Sequence, residues 1–234
     1  MSATQPLDRV TALRIARAFL PARWYGNRWH YHYSRIKLGS DPLYPGVVDA
    51  LRGSVAALLD LGCGPGLLAH ALRAGGLTLP YRGVDNDAGK IAVARQAAER
   101  AGLRDVCFEE VDLAAELPTH RGSVAILDVL QYLSDQDQQR TLDAAIAMLA
   151  PGARLVIRTG LDDGSRRARL AHAFDQMAHR LGWMNTGPKH YPDAARLREL
   201  FAAAGLPAQF APLSGNTPFN NWLVVATMPA GRNL

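Results

Sequence analysis

Val55-Ala56-Ala57-Leu58-Leu59-Asp60-Leu61-Gly62-Cys63-Gly64-Pro65-Gly66 is the stretch that decides the fold. An apolar run ends in an acid, three alternating glycines follow, and helical spacing begins at once with Leu67, Leu68, Ala71 and Leu72. This pattern is a buried strand, a tight turn and a helix. Glycine suits such a turn for two reasons. The chain must bend sharply, often through positive φ, and a bulky ligand must come close to the backbone. A dinucleotide fingerprint would read Gly-x-Gly-x-x-Gly, with a pyrophosphate at the helix N-terminus. Here the third glycine comes one residue early and Asp60 directly precedes the turn. A carboxylate is a poor neighbour for pyrophosphate and a good one for an ammonium group. Cys63 fits as a small, weakly polar packing residue inside the loop.

Moving outward, Tyr81 to Asp85 reads as a second strand, and Ala88 to Ala101 as a helix closed by Gly102. Val106 to Val111 and Val124 to Leu127 are further strands. Asp135 to Leu149 is a helix stopped by Pro151-Gly152, and Leu155-Val156-Ile157 is the fifth strand. Strands alternating with helices of this length predict a parallel α/β sheet covered on both faces. Near the C-terminus, Ala208 to Leu213 and Asn221 to Thr227 are separated by too few residues for a crossover helix. They are expected to pair antiparallel as a hairpin at one edge.

Acids stand at the ends of the first three strands: Asp60, Asp85 and Asp112. Ligands of open α/β sheets bind at those carboxyl ends. Asp85 is placed to accept from both hydroxyls of a ribose. Asp112 is placed to accept from the exocyclic amine of adenine, with Leu113 near the ring. Each has a plainer alternative. Asp85 could cap the following helix, a role assigned here to Asp87, and Asp112 could be an ordinary loop acid.

Composition sets the outer bounds. The 234 residues are 48% hydrophobic and 20% charged, which predicts one folded α/β domain with some elaboration. The net charge of +5 invites a nucleic-acid reading, but only three of the 26 basic residues are lysine (37, 90 and 189), and an arginine-rich skew need not mean binding. Arg166-Arg167-Ala168-Arg169 is short and reads as a solvated helix face. Cys63 and Cys107 have no metal-ligand spacing. No apolar run is long enough to span a bilayer, and no secretory signal is visible, so a cytoplasmic protein is the default expectation.

The loop resembles the first motif of the class I S-adenosylmethionine-dependent methyltransferases over Leu58 to Gly66. Gly83-Val84-Asp85-Asn86-Asp87 is similar to their second motif and Val111-Asp112-Leu113 to their third. Leu149 to Ile157 resembles the helix-turn-strand that precedes strand five. The resemblance implies a Rossmann-like seven-stranded methyltransferase sheet, mostly parallel, with a C-terminal antiparallel hairpin and helices on both faces. It implies S-adenosylmethionine as cofactor and no metal. The residues it assigns to the cofactor are Asp60, Gly62, Cys63, Gly64, Gly66, Asp85, Asn86, Asp112 and Leu113. Two positions depart from the pattern: Ser123 replaces an acid at the start of strand four, and Gln131-Tyr132 replaces a histidine pair after it. Asp128, ending strand four, is placed to contact cofactor or substrate, or to cap a helix. Ser34 to Pro42, Asp128 to Tyr132 and Asn220-Asn221 are also similar to methyltransferases of aryl-polyene and related pigment pathways, which implies an aromatic acceptor and secondary metabolism.

Residues 1–54 form a helix-like, aromatic-rich preface expected to act as a lid, and 55–234 the methyltransferase domain with an insertion at about 161–192. Trp24, Tyr25, Trp29, His30, Tyr31, His32 and Tyr33 could wall a flat substrate or pack the preface onto the domain. Lys37 is a candidate to neutralise the cofactor carboxylate, or a surface lysine. The insertion contributes Arg158, Trp183, Met184, Lys189, His190 and Tyr191 to a possible acceptor pocket. His32 and His190, with Tyr191, are the catalytic candidates, because imidazole titrates near neutral pH. The expected partner is a small-molecule methyl acceptor. Nucleic acid is disfavoured because Asp128 to Tyr132 lacks the Asn/Asp-Pro-Pro-aromatic run of amino-directed nucleic-acid enzymes. RNA methylation and non-catalytic cofactor binding remain the alternatives.

Overall fold

Leu58–Leu61 forms β1, a strand buried on both faces inside a seven-stranded sheet. A computed structural model describes residues 4–161, 190–215 and 220–231. The other strands are β2 (Tyr81–Asp85), β3 (Val106–Glu110), β4 (Ser123–Leu127), β5 (Arg154–Gly160), β6 (Ala208–Pro212) and β7 (Asn221–Thr227). Their spatial order is β3-β2-β1-β4-β5-β7-β6. The first five are parallel; β7 lies antiparallel to both β5 and β6. The mostly parallel sheet and its C-terminal antiparallel pair are as the sequence predicts. β1 starts three residues later than the apolar run suggests. Its ladder opens with Leu58 opposite Tyr81 and Ser123, and Val55 stays in solvent.

The helices are α1 (Arg9–Ala16), α2 (Trp29–Ser40), α3 (Leu43–Leu51), α4 (Leu67–Ala74), α5 (Ala88–Arg100), α6 (Asp135–Ala147) and α7 (Ala194–Ala203). Local chemistry fixes their starts. Asp87 accepts from the Lys90 backbone N–H at 3.0 Å to cap α5, as expected, and Ser134 and Asp193 do the same for α6 and α7. Ser123, the departure at the start of β4, is fully buried, and its Oγ accepts from the Arg154 backbone N–H at 3.1 Å. The hydroxyl therefore ties β4 to β5.

Apolar side chains fill both sides of the sheet. On one side, Leu67, Leu68 and Leu72 of α4 and Ile91 of α5 meet Leu58; on the other, Leu142 of α6 and Leu197 and Phe201 of α7 meet Leu59, Leu61 and Ile157. The N-terminal helices belong to the first of these clusters, through Ile15, Leu38, Val47 and Leu51. Residues 1–54 thus share the core of the sheet, while one face of α2 remains free to border the site. Most of the expected insertion, with Trp183, Met184, Lys189 and Arg166 to Arg169, lies outside the described residues.

Candidate functional site

The turn after β1 is held from two sides. Gly64 N–H donates to Asp85 Oδ2 at 2.9 Å, so the tip of β2 anchors the middle of the loop. The opposite carboxylate oxygen, Oδ1, accepts from the Asp87 N–H at 3.0 Å. Both bonds fix the Asp85 rotamer and leave each oxygen capacity for a further donor. Gly62, at φ +76°, lies against the loop after β4, where a Cβ would collide with Val129. Gly64, at φ +54°, is different: nothing lies within 4 Å of where its Cβ would stand. Its open side is a cavity.

That cavity, of about 1070 Å³, runs along the carboxyl ends of β1 to β4 and under α2. Of the residues assigned to the cofactor, Gly62, Gly64, Asp85, Asn86, Asp112, Leu113, Asp128 and Lys37 line it. Asp60, Cys63 and Gly66 do not. Cys63 packs on β2, where a Cβ on Gly83 would stand 2.8 Å from its sulfur. Burial pushes its thiol well above the ordinary range. The Asp60 side chain sits beneath the loop at 2% exposure; its Oδ2 accepts from the Tyr81 hydroxyl at 2.6 Å, and Oδ1 has no hydrogen-bond partner. Burial, reinforced by the nearby Asp85 charge and opposed by Tyr81, raises this acid to about 7.

Asp128 and Lys37 belong to a charge network. Asp128, a non-glycine residue at φ +59°, pairs with Arg158 Nη1 and with Lys37 Nζ at 3.3 Å. Lys37 also meets Asp41 at 2.7 Å, and Asp41 meets Arg158 at 3.2 Å. Burial alone would raise the Asp128 pKa, but the two cations outweigh it and hold the carboxylate ionised. The network joins α2, the start of α3, the β4 tip and β5. Lys37, expected to serve the cofactor carboxylate, is thus already paired to two protein carboxylates, and Asp128 is not a helix cap.

The catalytic candidates are scattered. His32 is exposed and is not part of the wall; its neighbours Trp29, His30, Tyr33 and Lys37 are. Helix geometry explains the miss: two residues turn α2 by about 200°, so His30 and His32 face opposite ways. His190 is solvent-exposed, 3.8 Å from Asp135, and lies off the cavity wall. Tyr191 packs over Gly160 at the end of β5, also off the wall. Tyr132, half of the Gln131-Tyr132 departure, does line the cavity, whereas Gln131 is buried and its Oε1 accepts from the Thr159 hydroxyl at 3.0 Å. The phase of α2, readable from Leu38 and Ser34 as its inward face, is the signal that would have selected His30.

Residues 58–152 match the family described as methyltransferase domain. That stretch is a methyltransferase domain, in line with the resemblance to the class I S-adenosylmethionine-dependent enzymes. Its cofactor is S-adenosylmethionine. A ubiquinone biosynthesis O-methyltransferase of Paracidovorax citrulli is 30% identical over 123 residues, 51% of this chain and 50% of that protein. The chain spans between 31% and 50% of the length of the first curated relatives it matches. In fold it is similar to the pyocyanin biosynthetic protein PhzM, with a TM-score of 0.64 at 18% identity, covering 95% of this chain and 62% of that one. It is equally similar to the magnesium protoporphyrin IX methyltransferase of Synechocystis PCC 6803, with a TM-score of 0.64 at 17% identity and 92% coverage of both.

The wall of the methyltransferase domain fits that cofactor. Asp85 and Asp112 face the cavity without an ion-pair partner among the described residues, which suits a ligand carrying sulfonium and ammonium charges. The open flank of Gly64 leaves room for close approach, and Val111 and Leu113 supply apolar surface for a flat base.

Two stability outcomes follow from these charges. Arg158→Met removes the more buried cation of the network and should cost about 3–5 kcal/mol, the range for stripping one partner from a buried pair. Urea denaturation checks it; a loss below 1 kcal/mol would show that Lys37 alone satisfies both acids. Asp60 has its folded pKa raised above the ordinary carboxylate value, so its stabilising contribution is complete below about pH 4 and is lost as pH rises through about 7. Asp60→Asn should therefore gain melting temperature relative to wild type at pH 8 compared with pH 5. The same difference at both pH values would reject a neutral, buried Asp60.

Proposed function

We propose that the chain transfers the methyl group of S-adenosylmethionine to a small, flat, aromatic hydroxyl compound. One observation carries this reading. The cavity is lined by acids at the tips of β2 and β3 and also by the aromatic rings of Trp29, Tyr33 and Tyr132. Trp29 and Tyr33 stack with ring centroids 4.9 Å apart and planes 7° from parallel. Such rings give a planar acceptor apolar area at little entropic cost. The names of the relatives support the same class: ubiquinone and pyocyanin biosynthesis, and a porphyrin methyltransferase, all concern flat ring systems. The resemblance of Ser34 to Pro42 and Asp128 to Tyr132 to pigment-pathway enzymes supports an aromatic acceptor in secondary metabolism.

When bound, the sulfonium supplies an electrophilic methyl group for in-line displacement. The protein contributes position and dryness, a proximity effect worth roughly 7–11 kcal/mol. Asp85 holds the ribose, Asp112 and Leu113 hold the adenine, and Gly64 admits the ligand to backbone contact. The Lys37–Asp128 pair fixes the far wall so that the acceptor meets a rigid surface. His30 takes the proton released by the attacking hydroxyl. His30 lines the cavity, and burial lowers its pKa despite the opposing pull of Asp87. It is consequently neutral, and able to accept a proton, at pH 7.

Asp85→Ala should weaken cofactor binding by about 1–3 kcal/mol, the value of hydrogen bonds to a charged group. Calorimetry with S-adenosylmethionine measures it, and unchanged affinity would remove Asp85 from the ribose. Labelled methyl transfer to a panel of catechols and hydroxyquinones tests the reaction itself. Turnover should fall on the acid side, below the ordinary histidine value of 6.5, as His30 protonates. His30→Gln should lower kcat by about 10²–10⁴ and abolish that acid limb. An acid limb that survives the substitution would place the base elsewhere.

A further inference from the structure

Exposed large apolar side chains among the described residues cluster in one place. Trp24 is 83% exposed, Tyr25 64%, Trp29 57% and Ile36 59%, four of six such residues, all within thirteen positions of the chain. On α2 the inward face is Ser34 and Leu38, both fully buried. The outward face carries Trp29, His32 and Ile36, at spacings of three and four, with Arg28 and Arg35 on its flank. Trp24 and Tyr25 extend this surface beyond the helix start, their rings edge-to-face at 5.6 Å, with Arg23 donating to the Tyr25 hydroxyl at 3.0 Å. Trp29 belongs to both surfaces, the outer face and the cavity wall.

The charge of the chain is divided the same way. Residues 1–40 hold seven of the 26 basic side chains and one of the 21 acids, Asp8; the remaining 194 residues carry 19 and 20, a net of −1. The whole positive balance of the protein therefore sits on the segment that bears the exposed rings. Indole and phenol rings next to arginines are the chemistry of the lipid headgroup zone, where an apolar body and a polar tip are both satisfied. Anionic headgroups complement the arginines.

We propose that this face, Arg23 to Ile36, docks the protein peripherally on an anionic bilayer surface. No described helix is long and apolar enough to cross a membrane, so the association is at the surface and reversible. Because Trp29 also borders the cavity, the docked protein has its site opening beside the headgroups, and an acceptor dissolved in the bilayer enters without crossing water. That consequence for the acceptor rests on the methyl-transfer reading; the docking itself does not.

Co-sedimentation of the full chain with vesicles tests it. Vesicles of phosphatidylcholine containing about 30 mol% phosphatidylglycerol should carry down the protein, pure phosphatidylcholine should not, and about 0.5 M salt should release it. Trp24→Ser with Tyr25→Ser, neither residue lining the cavity, should lower partitioning by about tenfold or more. Arg23→Glu with Arg28→Glu should lower it by at least about fivefold for each charge removed. Both pairs are exposed, and unchanged melting temperatures would verify that the folds are intact. Absence of sedimentation on anionic vesicles would overturn the proposal, as would equal sedimentation of wild type and both variants. So would light scattering that finds a dimer in wild type and a monomer in the Trp24 variant, or retention by an acidic carrier protein without binding to vesicles. Calorimetry with S-adenosylmethionine on the wild type separates the two ideas: no sedimentation with intact cofactor binding removes only this surface, and docking without cofactor binding removes only the catalytic reading.

Discussion

The site depends on one backbone contact, the hydrogen bond from Gly64 N–H to Asp85 across the tips of β1 and β2. It draws the glycine loop toward β2 while the missing side chain of Gly62 lets the same loop close against Val129 beyond β4. The turn is thereby wedged between its two neighbours in the sheet. Any side chain at Gly62 would lift it off β4, and loss of the Asp85 carboxylate would free it from β2. With the loop fixed, the open flank of Gly64 becomes the floor of the cavity. The same two bonds fix both oxygens of Asp85, so this group of the cavity wall is rigid before any ligand arrives. Such preorganisation lowers the ordering cost of binding.

A second constraint acts from the other side. Asp41, Lys37, Asp128 and Arg158 come from four places in the chain, and their mutual pairing sets where α2 crosses the sheet edge. Apolar burial of Leu38 and the helices around it provides the driving force for docking α2. Hydrophobic contact is non-directional, however. The ion pairs fix the rotation that aims His30, Tyr33 and Trp29 at the acid-bearing wall. Asp128 holds a left-handed backbone conformation that a non-glycine residue adopts rarely. Residues in such conformations persist where surrounding structure over-determines them, and two cations on one carboxylate are such a determinant.

The fold was legible because its signals are local. The Leu58 to Leu61 strand, the glycine turn and the Leu67 helix follow one another directly, and the short link before Asn221 forced an antiparallel pair. The cavity wall was legible where strand ends define it, at Asp85, Asn86, Asp112 and Leu113. It was less so where side-chain direction matters. Asp60 is adjacent to the loop in sequence but points under it to Tyr81, because a strand residue and its neighbour face opposite sides. Lys37 and Asp128, separated by 91 positions, are paired to each other, and nothing in either local sequence announces the partner. His32 and His30 differ only in helical phase. Cys63, expected to pack inside the loop and also assigned to the cofactor, packs against Gly83 and lies off the cavity wall.

Net charge is unevenly divided along the chain. A pI near 9.5 read for the whole chain suggests a polyanion partner for the whole molecule. Resolved by segment, the same number describes a nearly neutral body, whose cavity wall presents acids, and a basic N-terminal segment beside it. These two fields have opposite sign and different ranges of action. The wall acids act on a bound cation at contact distance, in a cleft where low-dielectric walls limit screening. The exposed arginines act through solvent, over about a Debye length of 8–10 Å at physiological salt. Cofactor retention should therefore be nearly indifferent to ionic strength, while any association through Arg23, Arg28 and Arg35 is sensitive to it. The division lets one small chain hold a cationic cofactor and still carry a positive outer face, which a uniform charge distribution would not permit.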